Sequence, residues 1–443
     1  MDHVRSGSRT LQLESIYSTR LDWRHKGVPF AADGMAVREI GRQGFNVLND
    51  DVPFPCATLK LSAVQHNSQW MQRFVEQFGA RIAPHGKTTM APQLFQRQLD
   101  DGAWGLTAAT LAQVRVYRRF GVRRIVLANQ IVSPRDAAWI QAEMDGDPAF
   151  EFYCLVDSES SLRVLVDSVR SRVDARPFRV LVEVGVVGGR TGTRTVPQAL
   201  ALCRQVRANP DAVELAGIEA FEGILTPRDP EANSASVRTL MRTIGAVANA
   251  ALAEHLFAVP EPLLSAGGSA LFDTVARELS AVAAGGPFKV LLRSGCYLTH
   301  DSHHYETYMI AMRERGFESA ELQSGLKPAL EVCARIQSIP EPGRAIAGFG
   351  KRDASFDIDL PMPLWAHTPG DPAGVRPIDA NAVKVVGLND HHAYLDLLEG
   401  HGLQFGDIVG FGISHPCTTF DKWPVVLVVD DQYRVVDAVL THF

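Results

Sequence analysis

The sequence predicts an α/β fold, a (β/α)8 barrel of the TIM type followed by a β-rich C-terminal domain. Two observations predict it. Between residues 80 and 295, short apolar segments alternate with stretches of helix length. Strands that are almost entirely apolar and are each followed by a helix are typical of a parallel sheet covered by helices. After residue 326 the apolar runs continue without amphipathic stretches between them, which indicates an antiparallel β domain.

The predicted barrel strands end in small or polar residues. They are ARIAPHG (80–86), WGLTAA (104–109), RRIVLANQ (123–130), FYCLVDS (152–158), RVLVEVG (179–185), LAGIEAFEG (215–223), PLLSAGG (262–268) and FKVLLRSG (288–295). Eight units of this kind fit a closed (β/α)8 barrel. An open, doubly wound sheet is the alternative, because the sequence rhythm does not show whether the sheet closes.

The remaining chain is assigned to the β-rich domain. TLKL (58–61) reads as a strand that precedes the first barrel helix, so it is grouped with the C-terminal strands. The predicted barrel domain therefore covers residues 62–300. The predicted β-rich domain covers residues 1–61 together with 301–443.

Length and composition restrict the class of protein. The 443 residues suggest a large domain and a second one. A formal net charge of −6 gives no general attraction to nucleic acid or anionic lipid. No apolar run approaches the ~20 residues of a membrane span, and the N-terminal residues lack a secretory apolar core. These features predict a cytoplasmic protein. The six cysteines have no CxxC spacing and are expected to be reduced thiols, mostly buried.

PHGKT places Lys87 directly after the first predicted strand, with His85 beside it. Catalytic groups of such barrels lie at the C-terminal ends of the strands. GKT also resembles the end of a phosphate loop, but that loop needs a glycine five positions before Gly86, and residue 81 is arginine. The phosphate-loop interpretation is therefore excluded. A solvated lysine in a turn is the remaining alternative to a catalytic one.

Two glycine-rich turns are candidates for cofactor binding. SAGGS follows the seventh strand, and its Gly267, Gly268 and Ser269 can point N–H groups at an anion. Loops after strands seven and eight are the usual phosphate site of these barrels. GGRTG follows the fifth strand and carries Arg190, which can hold a phenolate or carboxylate. The alternatives are an ordinary tight turn and an arginine that closes a loop.

The β-rich domain contains a candidate metal site, SHPC, in which His415 and Cys417 stand at i and i+2. Imidazole and thiolate at this spacing can reach one ion, and a thiolate favours zinc. His391 or His392 could add a ligand. The alternative is a buried cysteine beside a surface histidine. In RSGCY, Tyr297 follows the eighth strand and either contacts a ligand or packs between the domains.

Taken together, these segments resemble a known family. PHGKT, VLANQ, VDS, GGRTG, SAGGS, RSGCY and SHPC, between about residue 55 and residue 425, are similar to the D-serine dehydratase and D-threonine aldolase family. Its members are fold-type III pyridoxal-phosphate (PLP) enzymes with an alanine-racemase-like barrel and a β domain. The similarity is strongest to the bacterial D-serine-deaminase-like amino acid deaminases.

The resemblance implies a role for each candidate residue. Lys87 matches the lysine that carries PLP covalently, with His85 beside it, and Arg190 matches the position near the cofactor's O3′. The phosphate-binding turn is matched by Gly267, Gly268 and Ser269, a site-lining tyrosine by Tyr297, and the metal ligands by His415 and Cys417. The resemblance implies Zn²⁺, with Mn²⁺ as the alternative, and a homodimer.

The function implied is a PLP- and zinc-dependent dehydratase or deaminase, a lyase of the D-serine ammonia-lyase type. It would remove water from D-serine-like β-hydroxy D-amino acids and release a 2-oxo acid and ammonia, with His415 and Cys417 acting through the metal. A metal-dependent D-threonine aldolase is the main alternative. A non-catalytic PLP-binding protein is the other. The expected partner is a small D-amino acid, with neither nucleic acid nor membrane.

Overall fold

The computed structural model describes residues 10–170, 175–225, 230–317 and 319–443. The chain divides into two compact units. We call the first the barrel unit; it comprises Met1–Leu11, Met71–Lys87 and Gln98–Gly295. The second, the sheet unit, comprises Gln12–Trp70, Thr88–Arg97 and Cys296–Phe443.

The barrel strands follow one strand of the sheet unit, β1 (Cys56–Lys60). They are β2 (Arg81–Ile82), β3 (Leu106–Ala108), β4 (Arg124–Gln130), β5 (Glu151–Val156), β6 (Phe178–Val184), β7 (Val213–Ala220), β8 (Leu263–Ala266) and β9 (Lys289–Leu292). All neighbouring pairs are parallel, and the order is β2-β9-β8-β7-β6-β5-β4-β3. Each of the eight predicted strands is therefore confirmed.

The end strands of this sheet are joined to each other. His85, just past β2, forms a parallel bridge with Thr107 of β3. The Trp104 N–H donates to the Ile82 carbonyl at 2.8 Å. The sheet thus closes, and the strands run in sequential order without the reversal of a doubly wound sheet. The predicted barrel is confirmed, and the open-sheet alternative is wrong.

The helices are α1 (Glu14–Tyr17), α2 (Leu61–Gln77), α3 (Pro92–Asp100), α4 (Leu111–Arg119), α5 (Pro134–Gly146), α6 (Glu159–Arg170), α7 (Val196–Arg207), α8 (Pro230–Ala253), α9 (Phe272–Ala283), α10 (His304–Arg315), α11 (Ala320–Gln323) and α12 (Pro416–Phe420). Threonine caps begin two of them: the Thr110 and Thr195 side chains accept from the N–H groups of Gln113 and Gln198. No helix in the described part of the chain is long and apolar enough to span a membrane.

The barrel interior is filled by side chains from successive strands. Because strand residues alternate between faces, each strand supplies inward-facing apolar groups that meet at the axis. A buried cluster there consists of Ala83, Trp104, Val126, Tyr153, Leu155, Leu181, Ala216, Leu263 and Leu291. The barrel is therefore a packed core rather than a pore, and polar groups are left for the strand ends.

The sheet unit holds β10 (Leu330–Glu341), β11 (Arg344–Ala347), β12 (Met362–His367), β13 (Arg376–Pro377), β14 (Val383–Leu388), β15 (Ala393–Leu397), β16 (Ile408–Gly412), β17 (Val425–Val429) and β18 (Val435–Leu440). With β1 they form a ten-stranded sheet. The predicted β-rich C-terminal part is confirmed. Its pairs are antiparallel except one: β1 runs parallel to β17 while pairing antiparallel with β10 on its other side.

Candidate active site

Lys87 lies in the short 3-10 turn Gly86–Thr88 that follows β2. It is partly buried, at the C-terminal end of a barrel strand. Its ammonium group makes no hydrogen bond or ion pair with any residue that the structure describes. A long, flexible side chain held at this position without a partner is unusual for a structural lysine, which normally pairs with a carboxylate or extends into water.

His85 is fixed beside Lys87 by its backbone, whose N–H donates to the Arg293 carbonyl at 3.2 Å. Its Nδ1 atom is buried and has no hydrogen-bond partner among the described residues. Burial lowers the pKa of His85 well below its usual value, and the positive charges of Lys87 and Arg293 lower it further. The imidazole is therefore neutral near pH 7.

Arg190 is exposed in the loop after β6, and its guanidinium lies 4.9 Å from the centre of the Phe221 ring. In the described part of the chain the guanidinium has no hydrogen bond or ion pair. The loop itself is anchored, since the Thr191 hydroxyl donates to the Glu183 carboxylate at 2.6 Å. Arg190 also contributes to lowering the pKa of His85, so His85, Lys87 and Arg190 share one electrostatic environment.

Three buried glutamates lie at the C-terminal ends of β6 and β7, and motif spacing did not reveal them. Glu183, Glu219 and Glu222 are each 3% exposed or less. Glu219 pairs with Arg293, which also donates to the Ala220 carbonyl at 3.0 Å. Burial raises the pKa of Glu219 to about 8 and outweighs Arg293, with Glu183 and Glu222 adding to the rise. Glu219 therefore keeps its proton near pH 7.

The SAGGS turn binds an anion supplied by the chain itself. The N–H groups of Gly267 and Gly268 donate to the two carboxylate oxygens of Glu222, the first at 3.1 Å. The Ser294 hydroxyl bonds the carbonyls of both glycines at 3.0 Å. Gly267 has a φ of 97°, which favours glycine at this position. Both the N–H groups and the carbonyl groups of this turn are therefore held by hydrogen bonds. A phosphate-binding role for Gly267, Gly268 and Ser269 stays a prediction.

In the sheet unit, His415 precedes α12 and Cys417 lies in it. The His415 Nδ1 is 2.6 Å from Asp357 Oδ2, and the Thr418 hydroxyl donates to the other oxygen of Asp357 at 2.8 Å. A carboxylate only accepts, so Nδ1 carries the proton and Nε2 is left as the ligating nitrogen. This carboxylate–histidine pair is the usual support of a metal-bound imidazole.

Cys417 is surrounded by groups from two other segments of the sheet unit. Its sulfur lies 3.6 Å from Cys296 Sγ and 3.4 Å from Thr88 Oγ1. Tyr297 is buried in the adjacent turn Cys296–Leu298. None of the six cysteines forms a disulfide, and five are buried, as expected, but the contact between Cys296 and Cys417 was not predicted.

The histidines of the 388–392 segment do not add a ligand in this structure. His391 and His392 are exposed, and His391 stands 3.8 Å from Asp353. Throughout the described residues, no three histidine, cysteine, aspartate or glutamate side chains converge as a metal-ion cluster. The assignment of His415 and Cys417 as metal ligands therefore remains a prediction that the Asp357 contact supports.

Two family profiles match the chain. The alanine racemase N-terminal domain matches residues 59–292, more than half of the sequence. The chain belongs to this family. A second profile, the putative serine dehydratase domain, matches residues 329–429. Together these matches confirm the predicted membership of the fold-type III PLP enzymes and the resemblance to the D-serine dehydratase and D-threonine aldolase group.

Individual relatives cover most of this alanine-racemase-like chain. A D-threonine aldolase from Arthrobacter sp. is 24% identical over 86% of the chain and 90% of its own length. The crystal structure of a D-threonine aldolase from Filomicrobium marinum superposes with a TM-score of 0.72 at 21% identity, covering 90% of this chain and 97% of that one. A cysteine-to-alanine variant of D-threo-3-hydroxyaspartate dehydratase, in a metal-free form, gives a TM-score of 0.68 at 21% identity, with 90% and 99% coverage.

Proposed function

We propose that this protein is a PLP-dependent lyase of the D-serine ammonia-lyase type. It removes water from D-serine-like β-hydroxy D-amino acids and releases a 2-oxo acid and ammonia. The observation that carries the proposal is the Lys87 amine, partly buried and without a partner among the described residues. It stands at the strand ends where barrels of this class carry their catalytic groups.

The residues of the barrel unit fit PLP. Three polar groups there lack partners in the described structure: the Lys87 ammonium, the Arg190 guanidinium and His85 Nδ1. An aldehyde-bearing ring with a phenolate oxygen and a phosphate would satisfy groups of this kind. The other residues proposed to hold the cofactor, on the family resemblance, are Gly267, Gly268, Ser269 and Tyr297.

PLP, when bound, supplies an electron sink for negative charge that develops on the substrate's Cα. The protein supplies the rest. Lys87 Nζ would hold the cofactor and, as a free amine, would take the proton from Cα of the substrate. Arg190 is permanently charged and holds an anionic oxygen in position. His85 is neutral, so it adds no charge beside the amine and offers Nδ1 as a hydrogen-bonding atom.

His415 and Cys417 are proposed to hold Zn²⁺, with Mn²⁺ as the alternative. The donor set fits, because an imidazole oriented by Asp357 and a thiol are ligands that zinc prefers. A bound zinc ion supplies Lewis acidity, which helps a hydroxyl group to leave. A metal-free form of a cysteine variant of D-threo-3-hydroxyaspartate dehydratase supports a metal in this group of enzymes.

A second candidate function is a D-threonine aldolase, which cleaves Cα–Cβ and gives glycine and an aldehyde. The Arthrobacter D-threonine aldolase favours it, because its similarity extends over 86% of the chain. The same site residues would serve both reactions, since both use a β-hydroxy D-amino acid as substrate. Product analysis is therefore needed to tell the two reactions apart.

The test is a product assay on D-serine and D-threonine with the purified, PLP-loaded protein, with the L-enantiomers as controls. Pyruvate and ammonia from D-serine, lost on chelation and restored by zinc, support the dehydratase. Glycine with acetaldehyde from D-threonine supports the aldolase. If neither product forms while PLP stays bound, the D-serine ammonia-lyase proposal and the D-threonine aldolase alternative both fail, and the result favours a non-catalytic PLP-binding protein.

Two further features are part of the proposal and rest on the sequence and the resemblance alone. These are a cytoplasmic location and a homodimer. Size-exclusion chromatography with light scattering measures the second directly, and a monomer at micromolar concentration contradicts it.

A further inference from the structure

Two cysteine sulfurs of the sheet unit lie against each other although 121 residues separate them. Cys296 Sγ and Cys417 Sγ are 3.6 Å apart. Cys296 is 4% exposed at the start of the turn that follows residue 295, and Cys417 is partly buried in α12. A disulfide would bring the two sulfurs to about 2 Å, so these are two separate thiols in contact.

Hydroxyl groups surround this thiol pair. Thr88 Oγ1 lies 3.4 Å from Cys417 Sγ and 3.8 Å from Cys296 Sγ. The Tyr305 hydroxyl bonds to Cys296. The Cys417 thiol donates to Thr88 Oγ1, so both sulfurs have a hydroxyl oxygen beside them.

The distance between the two sulfurs matches two ligands on one ion. A zinc–sulfur bond is about 2.3 Å and the coordination is tetrahedral, which places two bound sulfurs roughly 3.8 Å apart. The observed 3.6 Å is within a few tenths of that distance. An ion that bonds both sulfurs therefore requires almost no movement of either cysteine. His415 does not converge with the two sulfurs in the described structure, so it would have to move to join them on the ion.

We propose that Cys296 is a further sulfur ligand of the metal ion that Cys417 holds. This inference rests on the metal site of the proposed function and deepens it. A second sulfur makes the site soft, so the ion is zinc rather than manganese, which prefers oxygen ligands. Because manganese was the alternative, Cys296 also decides the metal's identity.

The test uses cobalt(II) as the probe in the full-length protein, because thiolate-to-cobalt charge transfer gives an absorption band that grows with the number of sulfur ligands. We compare the wild type with Cys296→Ser, Cys417→Ser and Cys203→Ser. The last is a matched control, a buried thiol with no metal role. Cys296→Ser is expected to reduce the band to roughly half, and Cys203→Ser to leave it unchanged. Cys417→Ser is expected to reduce it at least as much as Cys296→Ser.

The outcomes separate the two proposals. If Cys296→Ser keeps the full band while Cys417→Ser loses it, Cys296 is not a ligand and the metal site itself stands. If the wild type shows no sulfur band, the metal proposal at Cys417 fails and this inference fails with it. X-ray absorption of the zinc-loaded wild type guards against a misfolded variant. Two sulfurs at about 2.3 Å support Cys296, and one overturns it.

Discussion

Removing the carboxylate of Glu222 should destabilise the apo-protein, because this carboxylate is the partner of one buried and one partly buried N–H group. Glu222 is 3% exposed and accepts from Gly267 and Gly268. Hydrogen bonds to a charged group contribute about 1.5–3 kcal/mol each, and an orphaned buried N–H costs ~1–3 kcal/mol.

We therefore expect Glu222→Ala to lower the free energy of unfolding by about 2–4 kcal/mol. Glu222→Gln keeps one acceptor oxygen, so its loss should be about half as large. Urea unfolding of the apo-protein measures both. The control is Glu261→Ala, which removes an exposed carboxylate 3.2 Å from Lys289 and should cost under ~1 kcal/mol. If Glu222→Ala lowers the free energy of unfolding no more than Glu261→Ala does, the hydrogen bonds from Gly267 and Gly268 to Glu222 do not stabilise the fold, and the interpretation is refuted.

Three further predictions concern pH and metal. Burial raises the pKa of Glu219 to about 8, so between pH 5 and 8 the folded chain holds a proton that the unfolded chain has lost. As the pH rises from 5 to 8, this group should therefore lower the free energy of unfolding by roughly 1 kcal/mol per pH unit. In Glu219→Gln, the free energy of unfolding should depend less on pH over this range. A variant with the same pH dependence as the wild type contradicts the raised pKa of Glu219. Asp357→Asn should weaken zinc affinity by about 10–100-fold, because the imidazole of His415 loses its orienting carboxylate. Asp359→Asn is the control, because Asp359 pairs with His303 instead, and it should leave zinc affinity unchanged. A chelator should abolish lyase turnover and leave PLP bound, and zinc should restore turnover; turnover that resists complete metal removal contradicts the metal role.

Much of the fold could be predicted because local patterns encode it. Each barrel strand is a nearly continuous apolar run, and the alternation with helices implies parallel pairing. The position of Lys87 after β2 followed from the same pattern. The parallel pairing of β1 with β17 could not be predicted, because Thr58 meets Leu427 across almost the whole chain. Nothing local in either segment specifies that partner.

The missed parts of the candidate site have the same cause. Glu222 reaches the glycine turn from 45 residues away, and Cys296 reaches Cys417 across 121 residues. In the sequence, Glu222 is one of many acidic residues, and Cys296 is one of six scattered thiols. Motif spacing finds residues that act on the same short segment. Residues that are far apart in the sequence, and that only the closed barrel or the sheet brings together, leave no motif that would identify them as partners.

The most direct test of the central claim is to locate the cofactor on the chain. PLP-loaded protein is reduced with borohydride, digested and mapped by mass spectrometry. We predict the pyridoxyl group on Lys87 alone. Lys87→Ala should lose the label and all turnover, whereas Lys289→Arg, at an ion-paired surface lysine, should keep both. A label on another lysine, or turnover by Lys87→Ala, contradicts the assignment of this residue as the covalent catalyst.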